Sequence, residues 1–248
     1  MALDLAIIGG TGLYQFPGLE NVTKQSVETP YGATSAPVVR GELAGRPVAF
    51  LARHGEGHSV PPHRVNYRAN IWALHSLGAR RVIGVNAVGG IREDMGPRVV
   101  AIPDQIIDYT HGRYTSFCDV DGAEVKHVDF SEPYTASLRQ ALLAAAASAG
   151  VAVVDGGCYG ATQGPRLETR AEIARLRRDG CDLVGMTGMP EAALARELEL
   201  DYACIALIAN WGAGCGDEAE ISLDEIFANL REATAVVPTL VTALLQAG

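Results

Sequence analysis

Short apolar runs alternate with stretches of helical periodicity along the whole chain. Runs at residues 5–8, 48–52, 82–86, 99–102, 151–158 and 202–209 have the length and aliphatic content of buried strands. Between them, apolar positions recur at helical spacing over residues 66–77, 137–149, 169–178 and 191–200, and again from Leu223 onward. Gly78, Gly150 and Gly180 follow the first three of these segments, where a left-handed cap ends a helix, and Pro190 stands just ahead of the fourth. Strand followed by helix, repeated, predicts an α/β protein. No repeat, low-complexity tract or Pro/Ser linker divides it, so one domain over residues 1–248 is expected. Residues 108–133 are polar, aromatic and aperiodic, which suggests a long functional loop or an excursion between strands.

With 248 residues and 48% hydrophobic content, the chain is large enough for one substantial core. No stretch approaches the ~18 apolar residues of a membrane span, and Asp4 sits where a signal peptide carries positive charge, so a cytoplasmic protein without membrane attachment is expected. Five dispersed cysteines without a CxxC pair suggest neither a disulfide framework nor a zinc ribbon. A formal net charge of −9 argues against a nucleic-acid partner, which is bound through many Lys and Arg contacts to phosphates. The densest basic stretch, Arg175, Arg177 and Arg178 with Glu172, reads as a solvated helix face.

Polar residues stand at the ends of the apolar runs, where open α/β sheets bind ligands. Gly9-Gly10-Thr11-Gly12 follows the first; it lacks both the third glycine of a dinucleotide fingerprint and the Lys of a P-loop, leaving a tight turn or a phosphate cradle. Arg53-His54-Gly55-Glu56-Gly57-His58 follows the second. Its histidines have i, i+4 spacing, but the glycines oppose the helix that a zinc site of this type needs, so no metal site is expected. An arginine and a histidine here suit phosphate, with a surface ion pair as the alternative. Asn86-Ala87-Val88-Gly89-Gly90 reads as a glycine-rich turn after the third run. Glu168 and Thr169 are alternative caps for the following helix, and Gly185-Met186-Thr187-Gly188-Met189-Pro190-Glu191 puts a hydroxyl and a thioether ahead of a helix start.

Four blocks in order, IIGGTGL, LARHGEGH followed by VNYRANIWAL, QGPRLETRAE and GMTGMPE, make the chain resemble the trimeric purine nucleoside phosphorylase and 5′-methylthioadenosine phosphorylase family from Gly9 to about Ile226. The resemblance implies a twisted mixed central sheet flanked by helices, a homotrimer or a dimer of trimers, and no cofactor beyond inorganic phosphate as co-substrate. It places phosphate on Thr11, Arg53, His54, the backbone of Ala87, and Thr187. It places the nucleoside on Met186, Leu167, Glu168, Asn210 and Gly212. Catalysis in this family is positioning plus electrostatics, and the groups assigned to it here are Asn210, Glu168 and His54.

Methylthioadenosine phosphorylases carry two aspartates where this chain has Asn210 and Gly212. An amide both donates and accepts, so Asn210 suits the O6 and protonated N7 of a 6-oxopurine, while the Glu168 carboxylate suits N1–H. Both features resemble phosphorylases of hypoxanthine and guanine nucleosides. At the sugar's 5′ end those enzymes place a histidine where this chain has Leu223, with Ile226 one turn on, which favours a methylthio group over a hydroxyl. His58, and His127 from a neighbouring subunit, complete this pocket by analogy with methylthioadenosine phosphorylases. A 6-oxopurine with an apolar 5′ end implies S-methyl-5′-thioinosine as substrate.

Overall fold

The computed structural model describes residues 3–120, 122–216 and 222–247. Among these, eleven strands join in one mixed sheet: β1 (Leu5–Gly9), β2 (Glu20–Gln25), β3 (Val38–Leu43), β4 (Arg46–Ala52), β5 (Arg81–Gly90), β6 (Val100–Ile102), β7 (Gln105–Asp108), β8 (Val154–Asp155), β9 (Cys158–Ala161), β10 (Leu183–Gly185) and β11 (Asp201–Trp211). The helices are α1 (Tyr67–Ser76), α2 (Ala136–Ala149), α3 (Arg170–Arg178), α4 (Glu191–Glu197), α5 (Leu223–Thr234) and α6 (Val237–Ala247).

The central strands are continuous apolar runs because both faces of the sheet are covered. Ala6, Ile8, Val82, Cys204 and Ala206 point to the side packed by α1 and α4. Their neighbours Leu5, Ile7, Ile83, Ala203 and Ile205 point to the side packed by α2, α5 and α6. Strand β5 is the hub. Along one edge it pairs in parallel with β11 over almost its whole length; along the other it pairs with β1 at residues 82–84 and then, antiparallel, with β10 at residues 89–90. The stretch of β5 between those two partners is unpaired on that edge, and it is there that a ligand can approach the backbone.

The helix starts follow local chemistry. Asn66 caps α1, its side chain accepting from the Ala69 N–H. Thr169, not Glu168, caps α3, in a capping box completed by Glu172. Gly150 ends α2 in the left-handed conformation, with φ 66°. The helical pattern from Leu223 resolves into two helices, α5 and α6.

Three expectations need correction. Residues 86–90 are not a turn: β5 continues to Gly90, and a Cβ there would lie 1.7 Å from the Met95 carbonyl oxygen, so this glycine admits a neighbouring backbone. The run at 151–158 is broken by Gly156 and Gly157, with φ of 84° and 117°, into β8 and β9. Strands β2, β3, β7 and β10 lie outside the predicted runs; β2 is exposed along its whole length and β10 has three residues, so neither carries an apolar period.

Candidate active site

One cavity of about 350 Å³ opens at the carboxyl ends of β1, β4, β5 and β11, and nearly all the residues singled out from the sequence line it. Arg53, His54 and Thr187, all buried, mark its deep end, which Gly10, Thr11 and Ala87 adjoin in the chain or sheet. Leu167, Glu168, Met186, Asn210 and Gly212 line it as well and are termed its middle, and His58 and Leu223, both exposed, with Ile226 are termed its rim. His127 does not line the cavity of its own chain; it is exposed on the excursion between β7 and α2.

The deep end is built of buried polar groups. Arg53, expected at an exposed strand end, is instead fully buried. Its Nε and Nη2 each donate to a carboxylate oxygen of Glu191 at 2.7 Å, and Nη1 donates to the Val85 carbonyl at 2.8 Å. Burial works against its charge, yet the Glu191 carboxylate outweighs it and holds the guanidinium above its ordinary pKa. The Asn86 amide donates to the Thr187 hydroxyl at 2.8 Å, which leaves the hydroxyl hydrogen of Thr187 free for a ligand. Val85 turns its carbonyl toward Arg53 on the edge of β5 that lacks a strand partner. Residues two apart in a strand direct their backbone groups to the same edge, so the Ala87 N–H points there too.

His54 behaves differently from the charged donor that its sequence context suggests. Its Nδ1 lies 2.8 Å from the Val60 carbonyl and therefore carries the proton. Burial first, and the adjacent Arg53 second, lower its pKa to about 4. At neutral pH the ring is uncharged, and Nε2 is an acceptor.

In the middle of the cavity, the Gly185 carbonyl accepts from the Thr162 N–H, so across the trans peptide the Met186 N–H is directed the opposite way. Asn210 donates from Nδ2 to the Trp211 carbonyl at 2.7 Å, which orients the amide and leaves Oδ1 as an acceptor, with one N–H remaining. A register shift in β11 between Ile208 and Asn210 sets Asn210 opposite Gly89. Glu168 takes no part in capping α3. Its Oε1 accepts from the Thr162 hydroxyl at 2.5 Å, and burial raises its pKa. The rim is more open than a closed apolar wall: Leu223 is 64% exposed, and the His58 Nδ1 lies 3.1 Å from the Tyr14 hydroxyl.

Two contributors have no signal in the sequence reading. Glu191 stands in the GMTGMPE block but reads there as a helix-start acid. Arg113, in the aperiodic excursion, donates to the carbonyls of Met186 and Met189 at 2.9 and 2.6 Å and to those of Thr162 and Gln163 at 3.2 and 2.9 Å. It ties the segment leading to Glu168 to the turn that carries Met186 and Thr187. Among the described residues, no group of three or more His, Cys, Asp or Glu is placed to hold a metal ion, and no helix is long and apolar enough to cross a membrane.

The sequence matches the family model of the phosphorylase superfamily over residues 4–246. The chain belongs to that superfamily. It is 60% identical over 245 residues to a probable S-methyl-5′-thioinosine phosphorylase of Xanthomonas campestris pv. campestris, covering 99% of this chain and 98% of that protein. It is 49% identical over 215 residues to a 6-oxopurine nucleoside phosphorylase of Pyrococcus furiosus, covering 85% and 80% respectively. Among solved structures, the methylthioadenosine phosphorylase of Schistosoma mansoni in complex with adenine superposes with a TM-score of 0.93 at 31% identity, covering 99% of this chain and 91% of that one. The mixed sheet with flanking helices is thus a phosphorylase fold, and the cavity lies at the carboxyl ends of its strands, where such sheets bind ligands.

Proposed function

We propose that this phosphorylase cleaves S-methyl-5′-thioinosine with inorganic phosphate, giving hypoxanthine and 5-methylthioribose 1-phosphate. The observation that carries the reading is one cavity in which an amide oxygen and a carboxylate, from Asn210 and Glu168, stand between a buried set of anion donors and a rim formed partly by Leu223 and Ile226.

In this reading phosphate sits among Thr11, Arg53, Ala87 and Thr187, with the neutral His54 accepting from the phosphate hydroxyl or the sugar. A phosphate oxygen bonds to C1′ as the C1′–N9 bond breaks, and the proton that phosphate brings ends on the departing purine. Asn210 Oδ1 accepts from N7–H of the leaving base, its remaining N–H serves O6, and Glu168 accepts from N1–H, a proton that adenine lacks. Met186 offers its N–H to the 2′-hydroxyl, with Leu167 and Gly212 bordering the base. The 5′-methylthio group lies at the rim with Leu223, Ile226 and His58. The exposed position of His127 suits donation to a neighbouring subunit of a homotrimer. The reaction needs no metal or organic cofactor, and a cytoplasmic location fits it.

The likeness to methylthioadenosine phosphorylases favours one second reading, in which the same cavity takes the adenine nucleoside. Base release from methylthioinosine, methylthioadenosine and inosine, each with and without phosphate, separates the two. The proposal expects strict phosphate dependence and the highest kcat/KM for methylthioinosine. A higher value for methylthioadenosine establishes the second reading, and release without phosphate makes the enzyme a nucleosidase.

A further inference from the structure

The buried acid beneath the phosphate end is not in the cavity lining, yet it determines what Arg53 can do there. A guanidinium offers five N–H bonds, and its most effective grip on an anion is bidentate. Glu191 occupies the Nε–Nη2 edge of Arg53 in that bidentate manner, both contacts at 2.7 Å. The Val85 carbonyl takes one Nη1 hydrogen. The other Nη2 hydrogen is turned toward the Asn86 Oδ1 and Ile8 carbonyl oxygens, at 3.4 and 3.5 Å. One Nη1 hydrogen is left. It has no protein acceptor among the described residues, and Arg53 belongs to the cavity wall together with Gly10.

The surrounding core is shaped around this pair. Glu191 and Arg53 are both fully buried, and the Tyr202 hydroxyl donates to Glu191 Oε1 at 2.8 Å. A Cβ on Gly84 would lie 2.2 Å from the Tyr202 hydroxyl and 2.9 Å from Glu191 Oε1, so a glycine in β5 makes room for the network. On its other side, Asn86 connects Arg53 to Thr187. The line from Tyr202 through Glu191, Arg53 and Asn86 to Thr187 therefore fixes the direction of two hydrogens at the deep end, one on Arg53 and one on Thr187. It also makes the arginine part of a neutral pair, so that an anion meets directed donors rather than a net positive charge.

We propose that Glu191 is a positioning residue for phosphate, holding Arg53 by its bidentate edge so that the guanidinium keeps one fixed orientation in the cavity wall with a single Nη1 hydrogen left for the anion. This rests on the phosphorolytic reading above. Its sign separates it from a simple charge effect. If net charge governed binding, removing the carboxylate would free the arginine for phosphate and tighten the site. If orientation governs, removal lets the guanidinium turn and weakens the site, because a glutamine amide accepts from only one of the two N–H groups and turns a donor on the other.

The test is steady-state kinetics of wild type, Glu191→Gln and Tyr202→Phe, varying phosphate and nucleoside separately, with hypoxanthine affinity measured by calorimetry. For Glu191→Gln the expected result is a KM for phosphate raised at least about tenfold, with the nucleoside KM and hypoxanthine affinity within about twofold of wild type. Tyr202→Phe, which removes only the hydroxyl that steadies Glu191, is expected to move the phosphate KM the same way by about two- to fivefold. A phosphate KM that falls or stays within twofold in a folded Glu191→Gln protein overturns the proposal, as does an equal rise for both substrates. Should Glu191→Gln not fold, Tyr202→Phe decides by the same criteria. Wild-type base release that needs no phosphate defeats the phosphorolytic reading and this inference with it, whereas phosphate-dependent wild type with an unaltered Glu191→Gln defeats the inference alone.

Discussion

The two ends of the cavity are built on opposite plans. At the deep end, Arg53, His54 and Thr187 are buried, and the arginine, held by Glu191, is joined through Asn86 to the threonine in one hydrogen-bonded network. At the rim, Leu223 and Ile226 come from the first turn of α5, and Leu223 and its neighbour Phe227 stand well out of the protein while Ile226 packs against the core. The contrast teaches where rigidity is required. In the proposed reading phosphate must be aimed at one carbon within fractions of an ångström, which suits donors locked by the core, whereas the 5′ substituent takes no part in bond making and needs only a surface it wets.

The largest effect expected from breaking this contrast is at the deep end. Arg53→Ala leaves Glu191 as an uncompensated buried charge, which costs about 3–5 kcal/mol of stability. It also removes a directed donor, lowering kcat/KM for phosphate by about 100- to 1000-fold. Chemical denaturation and steady-state kinetics measure the two losses; a change in one without the other would show that the ion pair serves folding or binding alone.

Next comes a pH effect at the same end. The folded-state pKa of His54 is about 4, below its ordinary 6.5, so the unfolded chain binds more protons between those values. The stability this confers is complete above pH 6.5 and is lost as pH falls toward 4, amounting to up to about 3 kcal/mol. Urea midpoints taken from pH 7.5 to 4 are expected to fall more steeply for wild type than for His54→Asn. Parallel profiles would mean that His54 takes up its proton as readily in the folded protein as in the unfolded chain.

A smaller effect belongs to the middle of the cavity. Asn210→Asp replaces an amide with a group that only accepts, and is expected to shift the kcat/KM ratio toward methylthioadenosine over methylthioinosine by about 10- to 100-fold, the equivalent of one mispaired contact at ~1–3 kcal/mol. The single change is a cleaner probe than pairing it with Gly212→Asp, because a Cβ on Gly212 would lie 3.2 Å from Ile173 Cδ1 and 3.3 Å from the Gly90 carbonyl oxygen. An unaltered ratio would remove Asn210 from base selection.

The smallest effect is expected at the rim. Leu223→His gives a 5′-hydroxyl a partner, but at a position 64% exposed water already supplies one, so the inosine-to-methylthioinosine ratio should rise by no more than about fivefold. A change as large as that at Asn210 would mean that the rim closes over bound substrate.

How much of this was legible in the sequence follows from where each residue sits. Apolar runs located the central strands because a sheet covered on both faces selects continuous hydrophobic segments, and the polar residues ending those runs reached one cavity because parallel strands deliver their carboxyl ends together. Strand β2 left no trace because it buries nothing, and the length of β5 was hidden because Gly89 and Gly90 look like a turn until Met95 and Val184 are seen against them. Residue type announced Arg53 as an anion donor, but not that its bidentate edge was taken, since Glu191 lies 138 positions away. Arg113 was equally silent: most of its acceptors are backbone carbonyls, which every residue has.

The extra residue in β11 has a consequence for how this fold diversifies. Up to Ile208 the strand keeps step with β5 and is embedded in the core; after the shift it brings Asn210 to the cavity, where the proposed reading puts the nucleobase. The part that reads chemistry is thereby mechanically separated from the part that carries load. A protein built this way can acquire a new taste in purines by exchanging one side chain beyond the irregularity, while the frame that aims the nucleophile stays as it was.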